Sequence, residues 1–129
     1  MIRKLLKDYT ETQPNDIFIN YKNQEITYED MAYAIEDRVK SMQAINIKKG
    51  SVIAIYSNNS LDIIEILFAC IELEVRGLII PPEFTRDEIN NIKKSIHFDY
   101  IITNWDKADN IKDSSTPIFP IEELSPSIG

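Results

Sequence analysis

Apolar positions along this chain fall into two rhythms, one helical and one of short β-type runs. Ile2, Leu5, Leu6 and Tyr9 recur on one helical face and Pro14-Asn15-Asp16 closes the segment, which predicts a short amphipathic helix over residues 1–13. Ile17-Phe18-Ile19-Asn20-Tyr21 and Glu25-Ile26-Thr27 flank the polar Lys22-Asn23-Gln24 and predict a hairpin, although the turn lacks Asn-Gly. Thr27 then caps a helix, with Asp30 at capping-box spacing, and Tyr28, Met31, Ala32, Ile35, Val39 and Met42 form its buried stripe.

After a polar turn at Asn46 to Gly50, Val52-Ile53-Ala54-Ile55-Tyr56 is continuously apolar, as a central parallel strand covered on both faces must be. Asn58 and Asn59 are placed to cap a second long helix from Leu61 to Leu73, with Asp62 and Glu65 near its positive end. Gly77-Leu78-Ile79-Ile80 predicts another short buried strand, stopped by Pro81-Pro82. Thr85-Arg86-Asp87-Glu88 opens a third helix that runs to Ser95 or Ile96. Tyr100-Ile101-Ile102-Thr103 predicts a third buried strand and Ile118-Phe119 a fourth, with Asp106 to Thr116 polar and loop-like. Helices alternating with apolar strands give right-handed crossovers and an α/β fold: a parallel sheet flanked by helices, with a small N-terminal hairpin.

Composition narrows the chemistry more than it identifies it. The 129 residues fit one domain, and 43% apolar with 27% charged is ordinary for a soluble globular chain. No apolar stretch reaches the roughly 20 residues of a membrane span, and the N-terminus lacks a signal-peptide core, so the expected location is cytoplasmic. The net charge of -7 and scattered basic residues argue against nucleic acid as a partner. With one cysteine and one histidine the chain cannot supply a closed zinc site, and Cys70, on the apolar helix pattern, reads as a core thiol.

Other tempting residues have plain structural readings. His97 lies between a helix end and a strand, and no Gly-x-Ser-x-Gly elbow accompanies it. Asp62, Glu65, Glu72 and Glu74 read as a solvated helix face, as do Glu36 and Asp37. Tyr28, Tyr33, Phe68 and Tyr100 are expected in packed positions. Trp105 follows a strand end, where open α/β sheets bind ligands.

A family resemblance emerges from the order of these pieces. Thr27-Tyr28-Glu29-Asp30-Met31 resembles the leucine-threonine-tyrosine-x-glutamate-leucine segment of adenylate-forming enzymes, and Gly50-Ser51-Val52-Ile53-Ala54-Ile55 resembles their glycine-aspartate-x-valine-alanine turn into a strand. Asn59, Phe68-Ala69-Cys70, Leu78-Ile79-Ile80, Glu88-Ile89 and Ser95 with Ile101-Ile102-Thr103 follow in the family's order, so the resemblance spans roughly residues 10 to 105. Two departures stand out. Glu74 occupies a place where the family commonly has glycine. The proline-aspartate-x-x-proline pattern of amino-acid-activating modules is missing after Ile80, which leans toward acyl- or aryl-CoA ligases.

The resemblance implies ATP- and Mg²⁺-dependent activation of a carboxylate as an acyl-adenylate, then transfer to CoA or a carrier thiol. It also implies that residues 1–129 form an N-terminal subdomain without the phosphate loop or C-terminal domain, silent alone and partnered by the remaining subdomains. No catalytic, cofactor-binding or metal-ligating residue of the family maps onto the chain, whose glycines, Gly50, Gly77 and Gly129, are isolated. Exposed apolar surface would then favour a dimer. Two other readings compete. One is a stand-alone, non-catalytic interaction module. The other is a small flavodoxin-like or receiver-like signalling domain; for a receiver, Tyr56-Ser57-Asn58 supplies no phosphoacceptor aspartate.

Overall fold

Lys22 and Asn23 both take positive φ, 49° and 65°, and make the two-residue turn that fits the twist of a hairpin. This turn joins β1 (Ile17–Tyr21) to β2 (Gln24–Thr27), with Tyr21 opposite Gln24, so Gln24 belongs to the strand and not to the loop. The computed structural model describes residues 8, 10–109, 111 and 116–124. The helix predicted over 1–13 lies largely outside them; residues 8 and 10–12 are helical.

Thr27 caps α1 (Tyr28–Ala44) through a complete capping box with Asp30. The chain continues through β3 (Val52–Tyr56), α2 (Ser60–Leu73), β4 (Arg76–Ile80), α3 (Arg86–Ser95) and β5 (Tyr100–Thr103). A helical turn, α4 (Trp105–Ala108), opens the segment expected to be loop, and β6 (Ile118–Pro120) runs into a 3₁₀ turn at Ile121–Glu123. The four later strands form one parallel sheet in the order β4-β3-β5-β6.

Alternation along β3 divides the core. Ile53 and Ile55 pack with Met42, Ile66, Ala69 and Cys70 of α1 and α2, whereas Ala54 and Tyr56 pack with Ile89 of α3. Helix α2 is apolar on a second side as well. Leu61, Ile64 and Phe68 meet Ile26 and Phe18 of the hairpin, and Phe18 contacts the rings of Tyr28 and Phe68 edge-on at 5.1 and 6.0 Å. The helix pair α1–α2 is therefore held between the sheet and the hairpin.

Two expectations need correction. Strand β4 is an edge strand, not a buried one: Ile79 is 48% exposed because nothing pairs beyond it among the described residues. Tyr33 is 63% exposed, since it falls outside the stripe set by Met31, Ile35 and Met42.

Glu74 explains how the chain does without the family's glycine. It ends α2 in the left-handed region at φ 57°, the conformation glycine adopts most easily, and its carbonyl accepts from Gly50 N–H at 3.0 Å. The Lys49–Glu74 ion pair at 3.0 Å is solvent-exposed and contributes little. Glu74→Gly is therefore expected to raise stability by about 0.5–1 kcal/mol, read as a higher urea midpoint. A lower midpoint would refute the strain argument.

Candidate functional site

The chain leaves β3 toward β4 on one side and leaves β5 toward β6 on the other. Between the carboxyl ends of β3 and β5 lies the topological switch point, the place where open α/β sheets receive ligands. The residues there are Ser57, just after β3, and Asn104 and Trp105, just after β5.

These groups are bonded to one another. Ser57 Oγ, on a fully buried residue, donates to Asn104 Oδ1 and accepts from Asn59 N–H at 3.0 Å. Asn59 Oδ1 accepts from Asp62 N–H at 3.0 Å, which fixes the start of α2. Asn104 Nδ2 donates to Asp62 Oδ2 at 3.3 Å and to Glu122 Oε2 at 3.2 Å, while Trp105 N–H donates to Glu122 Oε1 at 3.0 Å.

Beneath them lies a charge cluster that the sequence pattern conceals. Arg38 occupies the buried stripe of α1 between Ile35 and Met42, with its side chain only 8% exposed. Its Nη2 reaches Asp62 Oδ1 at 2.8 Å, Nε reaches Glu65 Oε1 at 3.0 Å and Nη1 reaches the Ile121 carbonyl at 3.0 Å. Asp62 and Glu65, expected on a solvated face, are 19% and 13% exposed at their side chains, because Arg38 draws them inward. Arg38 was legible only as a helical-phase residue, three after Ile35 and four before Met42.

Burial pushes the Glu65 carboxyl above its ordinary value of 4.5, against the opposing pull of Arg38. A carboxyl raised on folding holds its proton more tightly in the folded chain. Its stabilising contribution is complete below the ordinary value and is lost as pH climbs through the raised one. Glu65→Gln keeps an acceptor for Arg38 but removes this titration. It should flatten the decline in urea midpoint above pH 4.5. An unchanged slope between about pH 4 and about pH 7 would remove Glu65 as its source.

The other side of the sheet's carboxyl end is also tied. Tyr56 Oη donates to the Phe84 carbonyl, and Lys107 Nζ donates to the Pro82 carbonyl at 3.0 Å while lying 5.0 Å from the Tyr56 ring centre. Thr103 Oγ1 is buried without a hydrogen-bond partner among the described residues.

The remaining sequence candidates lie elsewhere. His97 is exposed at the amino end of β5, with Nε2 3.0 Å from Asp99 Oδ1. Val52 N–H, donating at 2.8 Å, and His97 hold the Asp99 carboxyl below its usual range. Cys70 is buried, and desolvation pushes its thiol up to about 12. Glu36 pairs with Lys40 at 3.3 Å on the surface of α1. Asn59, but not Asn58, supplies the cap of α2. Trp105 is 55% exposed beside the switch point.

Among the described residues, neither glycine lies in a loop of the kind that cradles a nucleotide triphosphate. A phosphate cradle needs converging backbone donors, which glycine lets approach closely. Gly50, at φ +88°, serves the turn before β3, and Gly77 sits within β4, where an added Cβ would meet Leu67 Cδ2 at 3.0 Å. Among the described residues, no group of three or more His, Cys, Asp and Glu is arranged to hold a metal ion, and no helix is long and apolar enough to cross a membrane.

Comparison with known families now decides the lineage, because the sequence model of the AMP-binding enzyme family matches residues 6–125. The chain belongs to the AMP-binding enzyme family. Among solved structures, it superposes on o-succinylbenzoate CoA synthetase (MenE) from Bacillus subtilis in complex with ATP and magnesium ion, with a TM-score of 0.84 at 18% identity over 92% of this chain and 33% of that one. It also superposes on the Klebsiella oxytoca NpsA N-terminal subdomain in complex with anthranilyl-AMSN, with a TM-score of 0.88 at 14% identity over 99% of this chain and 34% of that one. An artificially fused NpsA-ThdA adenylation-PCP di-domain gives 0.87 at 14% identity, over 95% of this chain and 23% of that one. The chain thus spans 23% to 34% of the length of these structures, and with the family match its fold is that of an N-terminal subdomain of the adenylate-forming superfamily. A search of curated proteins found no match.

Proposed function

We propose that this chain is the N-terminal subdomain of an ATP-dependent acid–thiol ligase, of the acyl- or aryl-CoA synthetase type. The complete enzyme would activate a carboxylate as its acyl-adenylate and pass the acyl group to CoA or a carrier thiol. ATP and Mg²⁺ would be held by later segments, including a phosphate loop and a C-terminal domain beyond residues 1–129. The observation that supports a scaffolding role most directly is the switch point itself. Ser57, Asn104 and Glu122 spend their hydrogen bonds on one another and on Asp62 and Trp105. In this reading the chain supplies a rigid floor against which the nucleotide-binding segments pack.

Calorimetric titration of the 129-residue chain with ATP and Mg²⁺ tests this division of labour. No binding heat is expected; clear affinity would defeat the claim that this part is silent alone. Reading the gene past codon 129 should reveal a glycine-rich Ser/Thr loop. A cytoplasmic location belongs to the same proposal. So does self-association of the isolated chain through apolar positions such as Ile71 and Ile79, 40% and 48% exposed, which sedimentation velocity reads directly.

A further inference from the structure

Two polar contacts of different kinds hold the turn that follows β6. Arg38 Nη1 donates to the Ile121 carbonyl at 3.0 Å in a buried setting. Glu122, the next residue, accepts from Asn104 Nδ2 at 3.2 Å and Trp105 N–H at 3.0 Å in an exposed one. A buried charge-assisted bond is costly to open, whereas a solvent-facing one exchanges readily with water. Ile121 and Leu124, 2% and 1% exposed, also anchor the turn in the core. The turn is fixed at its base and adjustable at Glu122.

Asp62 makes these two contacts one system. Its Oδ1 takes Arg38 Nη2 at 2.8 Å, and its Oδ2 takes Asn104 Nδ2 at 3.3 Å. A continuous chain of bonds therefore runs from Arg38 through Asp62 and Asn104 to Glu122. Asn104, its third member, lies at the mouth of the switch point. Both protons of its amide nitrogen have partners and its oxygen accepts from Ser57. A hydrogen-bond acceptor can therefore reach the Asn104 amide nitrogen only by disturbing a link.

We propose that Asn104 is a positioning residue that couples the switch-point crevice to the Ile121–Leu124 turn and, through Asp62, to Arg38 on α1. This rests on the reading that the sheet's carboxyl end faces the reactants in the complete enzyme. A hydrogen-bond acceptor arriving at the crevice draws the Asn104 amide nitrogen away from Glu122 and leaves that carboxylate on its bond from Trp105 N–H. The turn then loosens at Glu122 while Arg38 keeps it seated.

The test is Asn104→Ala in the 129-residue chain, followed by amide hydrogen exchange and by NMR of the Arg38 Nε–H. The Leu124 N–H, bonded to the Ile121 carbonyl at 2.9 Å, should exchange about tenfold faster, as expected for losing one or two net hydrogen bonds. The Arg38 Nε–H resonance should shift although that group bonds to Glu65, not to Asn104. Amides of β4 should be unaffected. Unchanged Leu124 exchange with a stationary Arg38 signal overturns the proposal. So does uniform acceleration through β3 and β4, which would mark global loosening. If Asn104→Ala fails to fold, Glu122→Gln at the exposed end must produce the same local response, and its absence also overturns the coupling. ATP binding by the chain would defeat the proposed function while leaving this exchange result intact.

Discussion

Arg38→Ala is expected to destabilise the chain by about 3–5 kcal/mol, the cost of leaving buried charge without its partner. The guanidinium serves three acceptors at once: the Asp62 and Glu65 carboxylates, 2.8 and 3.0 Å away, and the Ile121 carbonyl at 3.0 Å. Its removal strands two carboxylates that are 19% and 13% exposed, and the alanine methyl has no donor to offer them. Urea unfolding with an unchanged m-value would give the number. Arg38→Lys should recover only part of it, because an ammonium cannot present the planar fork that reaches three acceptors. A loss below about 1 kcal/mol for Arg38→Ala would mean that the cluster behaves as a surface pair.

The second large effect is expected at the centre of the sheet. Ile55→Ala should cost about 2–5 kcal/mol through lost apolar burial and an imperfectly filled cavity. Ile55 is fully buried, and β3 is flanked by β4 and β5, so neither neighbour can collapse inward without breaking register. Ile79, directly opposite Ile55 on β4 and 48% exposed, is the internal comparison. Ile79→Ala should stay within about 0.5 kcal/mol. Equal costs at the two positions would contradict the assignment of β4 as an edge strand.

The same pair of residues shows how far the sequence could be read. Val52 to Tyr56 and Gly77 to Ile80 are both apolar runs, and apolarity alone cannot separate a central strand from an edge strand. That distinction comes from strand order, a nonlocal property. Local signals fared better. The capping boxes at Thr27 and Thr85 form as spacing demands, because each needs only residues three apart. Glu74 was visible as a departure from the family pattern, while its left-handed backbone was not.

The charge cluster was hidden for a different reason. Asp62 and Glu65 look solvated when α2 is considered by itself, since their partner lies 24 and 27 residues earlier on α1. Arg38 in turn looks like an interruption of an apolar stripe. Only the packing of α1 on α2 turns the three residues into one feature. The bonds among Ser57, Asn104 and Glu122 were likewise inaccessible, because they join three separate connections around the sheet.

Cys70 gives the fold a consequence of its own. The thiol sits on α2 against β4, where Gly77 leaves its Sγ 3.6 Å from the place a Cβ would occupy. It is 1% exposed and, with its proton held up to about 12, offers almost no thiolate at neutral pH. Because the chain has one cysteine, an alkylating reagent has a single target, available when α2 separates from β4. The rate of labelling would then clock that separation without any added probe: the molecule carries its own stopwatch for opening.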